Sequence, residues 1–497
     1  MSKKVLILSG SPRKGGNSDI LCDEFLRGAQ DAGHKAEKIR VAEKKVAPCS
    51  GCYYCSTHGG ACVHKDDMAD ILQKMIDADV IVLASPVYFY SISAQLKAVI
   101  DRTVARWLEV KDKEFYYITT MAGIYIHIPF CKTRCIYCDF YSTTRSELKS
   151  RYIHALCKEL QMRKEYLRGE PVETVYFGGG TPSQLAEEDF REVFETIRKY
   201  YGMEHCREIT LEANPDDLTE EYTAMLQQLP FNRISMGIQT FDDATLKLLN
   251  RRHDAEQAVK AVHHCRRAGF NNISIDLIYG LPGETDDRWK RDLQQAISLG
   301  VEHISAYHLT YEEGTRIYEL LQAHRIHEVD EESSVRFFST LMDTLDNAGY
   351  EHYEISNFCR PGMYSRHNTS YWKGIPYLGC GPSAHSFNGD SREWNISSLE
   401  DYIHSIENNC RRFENEHLNR TTRYNECIMT SIRTRWGVPM DIVEQRFGRE
   451  LWQYCMDMAL PHLNDGKLEI RDNHLCLTRK GIFVSDGIMS DLMFIED

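Results

Sequence analysis

Three cysteines lie within eight residues, Cys131, Cys135 and Cys138, spaced C-x3-C-x2-C directly after an apolar run at 124–128. Thiolates this close are poor core packing and good ligands for an iron–sulfur cluster, which takes cysteine sulfur and normally wants four ligands. Three local ligands leave one iron for something from outside. A zinc knot is the alternative, and it would require a fourth Cys or His beside the three. A second set, Cys49, Cys52, Cys55 and Cys62, is spaced C-x2-C-x2-C-x6-C. Two glycine-rich stretches follow apolar runs. The first, from Gly10, would present backbone N–H groups at a helix N-terminus, where a phosphate can sit. Its contacts would be Gly10, Ser11, Arg13, Asn17 and Ser18, with a plain strand-to-helix turn as the alternative. The second is Gly178-Gly179-Gly180-Thr181-Pro182, where missing side chains permit close backbone approach to a ligand.

These residues need elements to hold them. Strand-like runs at 124–128, 174–177, 208–212, 233–238, 273–278 and 303–309 alternate with amphipathic helical stretches such as 148–168 and 255–268. Six such units predict an α/β fold, a partial (β/α)6 TIM-like barrel rather than a closed eight-stranded one. Chemistry in such barrels sits at the C-terminal ends of strands. Glu212 ends the third run, Gln239 follows the fourth, Arg251 comes shortly afterwards and Asp276 lies in the fifth. Ahead of the barrel, runs near 4–9, 36–41, 79–85 and 115–119 predict a doubly wound sheet one strand short of the usual five. Met121-Ala122-Gly123 then reads like the start of a second protein joined in frame. The expected domains are 1–120, 121–360, a connecting region at 361–420 and a small helical, winged-helix-like domain at 421–497.

Composition narrows the classes. The chain has 497 residues, 42% hydrophobic and 27% charged, as soluble globular proteins do. A formal net charge of −14 lacks the basic face of a nucleic-acid binder. No apolar run reaches the roughly 20 residues of a membrane span, and the N-terminus has no signal-peptide core. Seventeen cysteines, several at metal-ligand spacing, suit a reducing cytoplasm.

On the Cys131–Cys138 loop, the glycine triplet and the polar strand ends, residues 121–497 resemble the radical SAM proteins of the coproporphyrinogen III dehydrogenase-like branch. The resemblance implies a [4Fe–4S] cluster on Cys131, Cys135 and Cys138. It implies S-adenosylmethionine (SAM) among Tyr125, Gly179, Gly180, Thr181, Glu212, Gln239, Arg251 and Asp276, with Tyr137 beside the cluster. His367-Asn368-x-x-Tyr371-Trp372 matches the HNxxYW motif of the HemW heme chaperones, which implies heme at His367, Asn368, Tyr371 and Trp372. The dehydrogenases carry a fourth cysteine at the position of Phe140 and an N-terminal extension, so the chaperone group is the nearer one. The implied function is delivery of heme to acceptor proteins of respiration, with peripheral membrane contact. The alternative is radical conversion of coproporphyrinogen III to protoporphyrinogen IX.

Residues 1–120 resemble the NADPH-dependent FMN reductase and iron–sulfur flavoprotein branch of the flavodoxin-like fold. The first loop would hold the FMN phosphate, and Pro86, Val87, Tyr88 and Ser91 would line the flavin. Cys49, Cys52, Cys55 and Cys62 would ligate a second cluster, with free thiols as the equal alternative. The absent fifth strand removes part of the flavin surface and counts against FMN.

Overall fold

The computed structural model describes residues 2–88, 91–119 and 121–495; the side chains of Asn17, Val87, Tyr88, Ser91 and 117–119 lie outside that description. Contacts divide the chain into two units, Met1–Met121 with Leu167–Pro171, and Ala122–Tyr166 with Val172–Asp497.

In the first unit the strands Lys4–Ser9, Lys35–Arg40, Val80–Ser85 and Glu114–Thr119 form one parallel sheet. The order runs second, first, third, fourth. Side chains alternate across it because the strand period is two. Val5, Ile7, Val80 and Val82 pack with Cys22 and Phe25 of the helix Asn17–Asp31. Leu6, Leu8, Ile81 and Leu83 pack with Ile71 and Met75 of Met68–Asp77 and with Leu96 and Val99 of Ala94–Arg102. Both faces of Lys4–Ser9 and Val80–Ser85 are covered, which is why these two strands read as apolar runs, while the edge strand Lys35–Arg40 is exposed or half-buried along most of its length. Among the described residues no fifth strand joins this sheet.

In the second unit six strands pair in parallel in chain order: Ala122–Ile128, Val172–Gly179, Glu208–Ala213, Arg233–Gln239, Ile273–Tyr279 and His303–His308. Helices alternate with them, each stopped or started by ordinary caps. Asp254 and Gln257, for example, form a capping box on Ala255–Arg267. One side of each strand is apolar and buried, as in Ile124, Ile126, Phe177, Leu211, Met236, Ile275 and Ile304. The register puts a different set on the other side: Tyr125 beside Tyr176, Tyr176 beside Thr210, Thr210 beside Arg233, Glu212 beside Ser235, and Asp276 beside Ser305. The barrel therefore has an apolar outer layer against its helices and a polar interior.

The region expected as a connector is part of this sheet. Tyr377–Cys380 adds a seventh parallel strand beside Ala122–Ile128, and His385–Phe387, Ser391–Asn395 and Phe413–His417 continue it antiparallel. At the other edge Asn357–Cys359 and Glu351–Glu354 pair antiparallel next to His303–His308. Gly379 permits the first extension, since a Cβ there would lie 2.0 Å from the His385 carbonyl oxygen. From Arg420 the chain forms a separate core, with Tyr424, Ile428, Val443, Leu451 and Ile488 packed around three short strands. Its long helix Met440–Asn464 breaks at Gly448, where φ is +78°. Among the described residues no helix is long and apolar enough to cross a membrane.

A buried charge cluster fastens the seventh strand. Glu159, on the helix Lys149–Met162, is 0% exposed. Its carboxylate accepts from the Tyr402 hydroxyl at 2.6 Å, Asn395 Nδ2 at 2.8 Å, the Gly381 N–H at 2.9 Å and Arg163 Nη1 at 3.2 Å. Arg163 donates onward to the Gly379 carbonyl at 2.7 Å, and Arg411 lies 3.4 Å from Glu159. Glu159→Ala leaves Arg163 and Arg411 to share Glu393 as their one carboxylate and strips the acceptor from Tyr402, Asn395 and the Gly381 N–H. A loss of about 3–5 kcal/mol is expected, as for other broken buried pairs. It is to be read as a lower urea midpoint of barrel unfolding.

Candidate functional site

The cysteine loop is stitched to the C-terminal ends of the barrel strands. The Cys131 N–H donates to Thr143 O at 2.9 Å, and Phe130 bridges Thr143. Ile136 N donates to Leu249 O at 3.2 Å and accepts at its own carbonyl from Ile317 N at 2.8 Å. Tyr137 packs with Leu249, Ile278, Leu281, Leu309 and Ile317. Asn250 Nδ2 holds the Arg134 carbonyl at 2.8 Å. Lys132 reaches Asp217 at 3.0 Å, which also pairs with Arg252 at 3.2 Å.

Two donors point at cysteine sulfur. Thr181 Oγ1 donates to Cys131 Sγ at 3.3 Å and Arg251 Nη1 to Cys135 Sγ at 3.3 Å. Such donors stabilise negative sulfur. Burial works the other way, pushing the Cys138 thiol up to about 11 and raising Cys131. A coordinating cation would reverse that, because a metal-bound thiol is deprotonated. The residues therefore fit a cluster with three protein ligands. Among the described residues no three His, Cys, Asp or Glu side chains are drawn into metal-binding geometry, the barrel cysteines included. Spacing and donor chemistry are the grounds for ligation.

Beside the loop the glycine triplet forms a cradle. Gly179 has φ +108°, and a Cβ on Gly180 would lie 2.9 Å from the Pro129 backbone. Gly180 N donates to Ile128 O at 2.8 Å. Glu212 accepts from the Gly179 N–H at 3.2 Å and from the Tyr176 hydroxyl at 2.7 Å. Burial, with Asp276 nearby, raises Glu212 to about 7, and burial raises Asp276 to about 6. Gln239 adopts a left-handed φ of +73°, rare for a residue with a side chain and typical of functional sites. Arg251 also donates to Asn214 Oδ1 at 3.0 Å and to the Gly237 carbonyl. Tyr125 completes the wall, its hydroxyl 3.2 Å from His127 Nδ1. The eight residues expected around SAM thus lie on the first five barrel strands and the turns that follow them, with Tyr137 in the cysteine loop.

The helix Arg366–Trp372 takes an unexpected place. Glu208, on the inner face of the third strand, accepts from the Arg366 and His367 N–H groups at 2.9 Å each, a carboxylate at a helix N-terminus. His367 is 2% exposed. Its Nδ1 bonds Thr174 Oγ1 at 2.8 Å, its Nε2 bonds the Tyr371 hydroxyl at 2.8 Å, and its ring stacks on Tyr176 at 5.0 Å. Burial lowers its pKa to about 3. Both nitrogens are engaged, so iron ligation would require one of these bonds to open. Asn368 is half-buried, and Trp372 lies under the Arg433 guanidinium at 4.6 Å.

In the first unit, Gly10 N donates to Ala84 O at 2.7 Å, Ser11 Oγ donates to the Arg13 carbonyl at 3.1 Å, and Arg13 is exposed. Ser18 is buried and its hydroxyl has no hydrogen-bond partner. Pro86 is half-buried; the side chains of Asn17, Val87, Tyr88 and Ser91 lie outside the described residues. Cys49 and Cys52 are exposed, Cys55 and Cys62 half-buried, and none of the four is in a disulfide. Sequence reasoning passed over Tyr176, His127, Glu208, Asn214 and Arg233. Only Tyr176 carried a signal, two residues before the glycine triplet on the same strand face.

Residues 125–296 match the radical SAM superfamily, 3–125 the NADPH-dependent FMN reductase family and 418–484 the HemN C-terminal domain. The heme chaperone HemW of Mycobacterium tuberculosis is 33% identical over 376 residues, 75% of this chain and 94% of that protein. The heme chaperone HemW of Bacillus subtilis is 34% identical over 372 residues, 74% and 98%. The solved coproporphyrinogen III oxidase (HemN) of Escherichia coli superposes with a TM-score of 0.66 at 23% identity, covering 75% of this chain and 90% of that one. That likeness speaks to fold.

Burial lowers three interior imidazoles, His127 to about 4, His253 to about 3 and His367 to about 3. Each folded-state value lies below the free-histidine value of about 6.5, so each ring stays neutral from pH 8 down to pH 5. Imidazole 15N shifts of labelled protein, assigned with His→Gln variants, are expected to show no titration of these three above pH 5.

Proposed function

From the premise that this chain belongs to the HemW heme chaperone family of radical SAM proteins, we propose that it binds a [4Fe–4S] cluster, SAM and heme and delivers heme to acceptor proteins in the cytoplasm or at respiratory membranes. The observation that carries this reading is the length of the likeness. A match of 376 residues within a chain of 497 spans both the cysteine loop and the HNxxYW helix, and it covers 94% of a relative named a heme chaperone.

Cys131, Cys135 and Cys138 hold the cluster, and Thr181 and Arg251 steady two of the sulfurs. When bound, the cluster supplies a low-potential electron and an open iron for the amino and carboxylate groups of SAM. Gly179, Gly180 and Thr181 give the ligand a side-chain-free wall, and Glu212 and Asp276 give it negative charge. Tyr125, Gln239 and Arg251 line the remaining sides, with Tyr137 sealing the loop against the apolar cluster beneath it. His367, with Asn368 and Trp372 on the same short helix, would hold heme, offering the imidazole nitrogen now bonded to the Tyr371 hydroxyl. Imidazole is a standard axial ligand. For residues 1–120 the finer reading is FMN on the Gly10–Ser18 loop and a second cluster on Cys49, Cys52, Cys55 and Cys62. Flavin absorbance of the full chain after FMN addition and desalting tests it.

Phe140, 66% exposed, stands where the dehydrogenases have a fourth cysteine, and the dehydrogenase alternative is not favoured. Anaerobic protein with cluster, SAM, reductant and coproporphyrinogen III is expected to form no protoporphyrinogen IX; turnover would overrule the chaperone reading. Replacing any one of Cys131, Cys135 and Cys138 with Ala is expected to abolish the barrel cluster, read as iron content and visible absorbance. His367→Ala is expected to lose heme while keeping that cluster, and normal heme binding and transfer by the variant would remove His367 from the site.

SAM binding should depend on pH in a defined direction. SAM carries a sulfonium charge, so it favours ionised carboxylates. Glu212 is ionised above about 7 and Asp276 above about 6. Affinity is therefore expected to fall as pH drops through 7, by up to about tenfold per pH unit for each protonating carboxylate. Anaerobic titration calorimetry from pH 5.5 to 8.5 checks it.

A further inference from the structure

A direct path from the HNxxYW helix to Glu212, near the end of the third strand, runs through the Tyr176 side chain, alongside the stacking of Tyr125 on His367 at 6.4 Å. Tyr176 is buried on the inner face of the second strand. Its ring stacks on the His367 imidazole with centroids 5.0 Å apart and planes 22° apart, and on Tyr125 at 6.1 Å and 25°. Its hydroxyl donates to Glu212 Oε1 at 2.7 Å, while Oε2 takes the Gly179 N–H at 3.2 Å. The imidazole is itself pinned by Thr174 and Tyr371. The ring plane of Tyr176 is thus set by His367, and its hydroxyl sets the rotation of a carboxylate on a flexible side chain.

We infer that Tyr176 is a positioning residue that orients Glu212 for SAM and carries the state of the HNxxYW helix into the SAM pocket. This rests on the reading of Glu212 as a SAM contact. A hydrogen bond to a charged group is strong enough that its loss changes affinity by roughly tenfold or more. With His367 truncated, the Tyr176 ring loses its stacking partner and the hydroxyl its fixed direction. That effect reaches Glu212 only while the hydroxyl exists, so the two substitutions cannot be additive.

The test is a double-mutant cycle on the SAM dissociation constant of the anaerobically reconstituted full chain. The variants are Tyr176→Phe, His367→Ala and the double, with iron content, visible absorbance and thermal melting followed in each. Tyr176→Phe is expected to weaken SAM about tenfold with the cluster intact. His367→Ala should weaken it several-fold, and the double should be no weaker than Tyr176→Phe. The pH profile separates positioning from packing. The groups facing Glu212 are Tyr176, the Gly179 amide, Asp276 and Arg233. Removing the hydroxyl donor leaves the other three and makes Glu212 easier to protonate, so the acid limb of SAM binding should move to higher pH in Tyr176→Phe. Unchanged SAM affinity in His367→Ala, additive losses or an unmoved acid limb would each overturn the inference. Glu212→Gln distinguishes the two levels of failure. Full SAM affinity in that variant overturns the pocket reading and the inference with it. Loss there, with Tyr176→Phe unaffected, overturns the inference alone.

Discussion

Parallel register across the six barrel strands is the constraint on which everything else in the second unit depends. With period two, a slip of one residue would send every inward side chain outward. Isoleucine, leucine and phenylalanine on one side of each strand prevent it, because that face is buried against helices. What remains inside is a polar column: Tyr125, Tyr176, Thr210, Arg233, Glu212 and Asp276. Here the cost of burying them is offset by the outer apolar layer, which holds the register whatever lies within.

The floor of that column explains the position of the HNxxYW helix. Its first N–H groups need acceptors, and Glu208 supplies both oxygens from the third strand. The same docking delivers His367 onto Tyr176 and against Thr174. A glycine at 123 makes room, since a Cβ there would lie 3.2 Å from the imidazole. An imidazole nitrogen has one lone pair or one proton to offer. In the described conformation both nitrogens are committed, so an iron-ligating state and a floor-packing state exclude each other. Whatever draws His367 out of the barrel also removes a stacking partner from the residue that holds Glu212.

Much of the second unit was legible in the sequence because its signals are local. The cysteine spacing, the glycine triplet and the apolar runs with Glu212 at the end of one, Gln239 just after another and Asp276 within a third are read within a few residues, and the barrel order follows. Cross-strand facts were not legible. The Tyr176–Glu212 bond joins residues 36 apart, and only the register says that they share a face. The strand Tyr377–Cys380 escaped notice because four residues with a glycine inside carry no period, and a parallel partner more than 250 positions earlier leaves no local trace. The burial of His367 was equally hidden, since a histidine in a polar motif reads as a ligand whichever way its helix turns. In the first unit, the strands Lys4–Ser9 and Val80–Ser85 announce themselves as apolar runs, whereas the edge strand Lys35–Arg40 is charged and exposed or half-buried along most of its length; the turn chemistry between them says little about what it binds.

The charges inside the barrel argue for the kind of ligand it takes. Glu212 and Asp276 are held near neutral pH by burial and are not paired with each other's counterion. Arg233, 1% exposed on the fourth strand, is the cation whose field reaches both. Its Nε has no hydrogen-bond partner, so its grip on the carboxylates is through the field rather than through a close pair. Arg251 adds its field at Asp276, so Glu212, beside Asp276 and answered by the field of Arg233, is the carboxylate left without a close counter-charge once ionised. A ligand bearing a sulfonium supplies that charge, and gains in a low-dielectric pocket what it would lose to water screening outside. A neutral ligand would leave the carboxylates to take up protons instead, and an anionic one would meet them directly. Tyr176 and Gly179, each bonded to one oxygen of Glu212, set which way that carboxylate faces within the pocket.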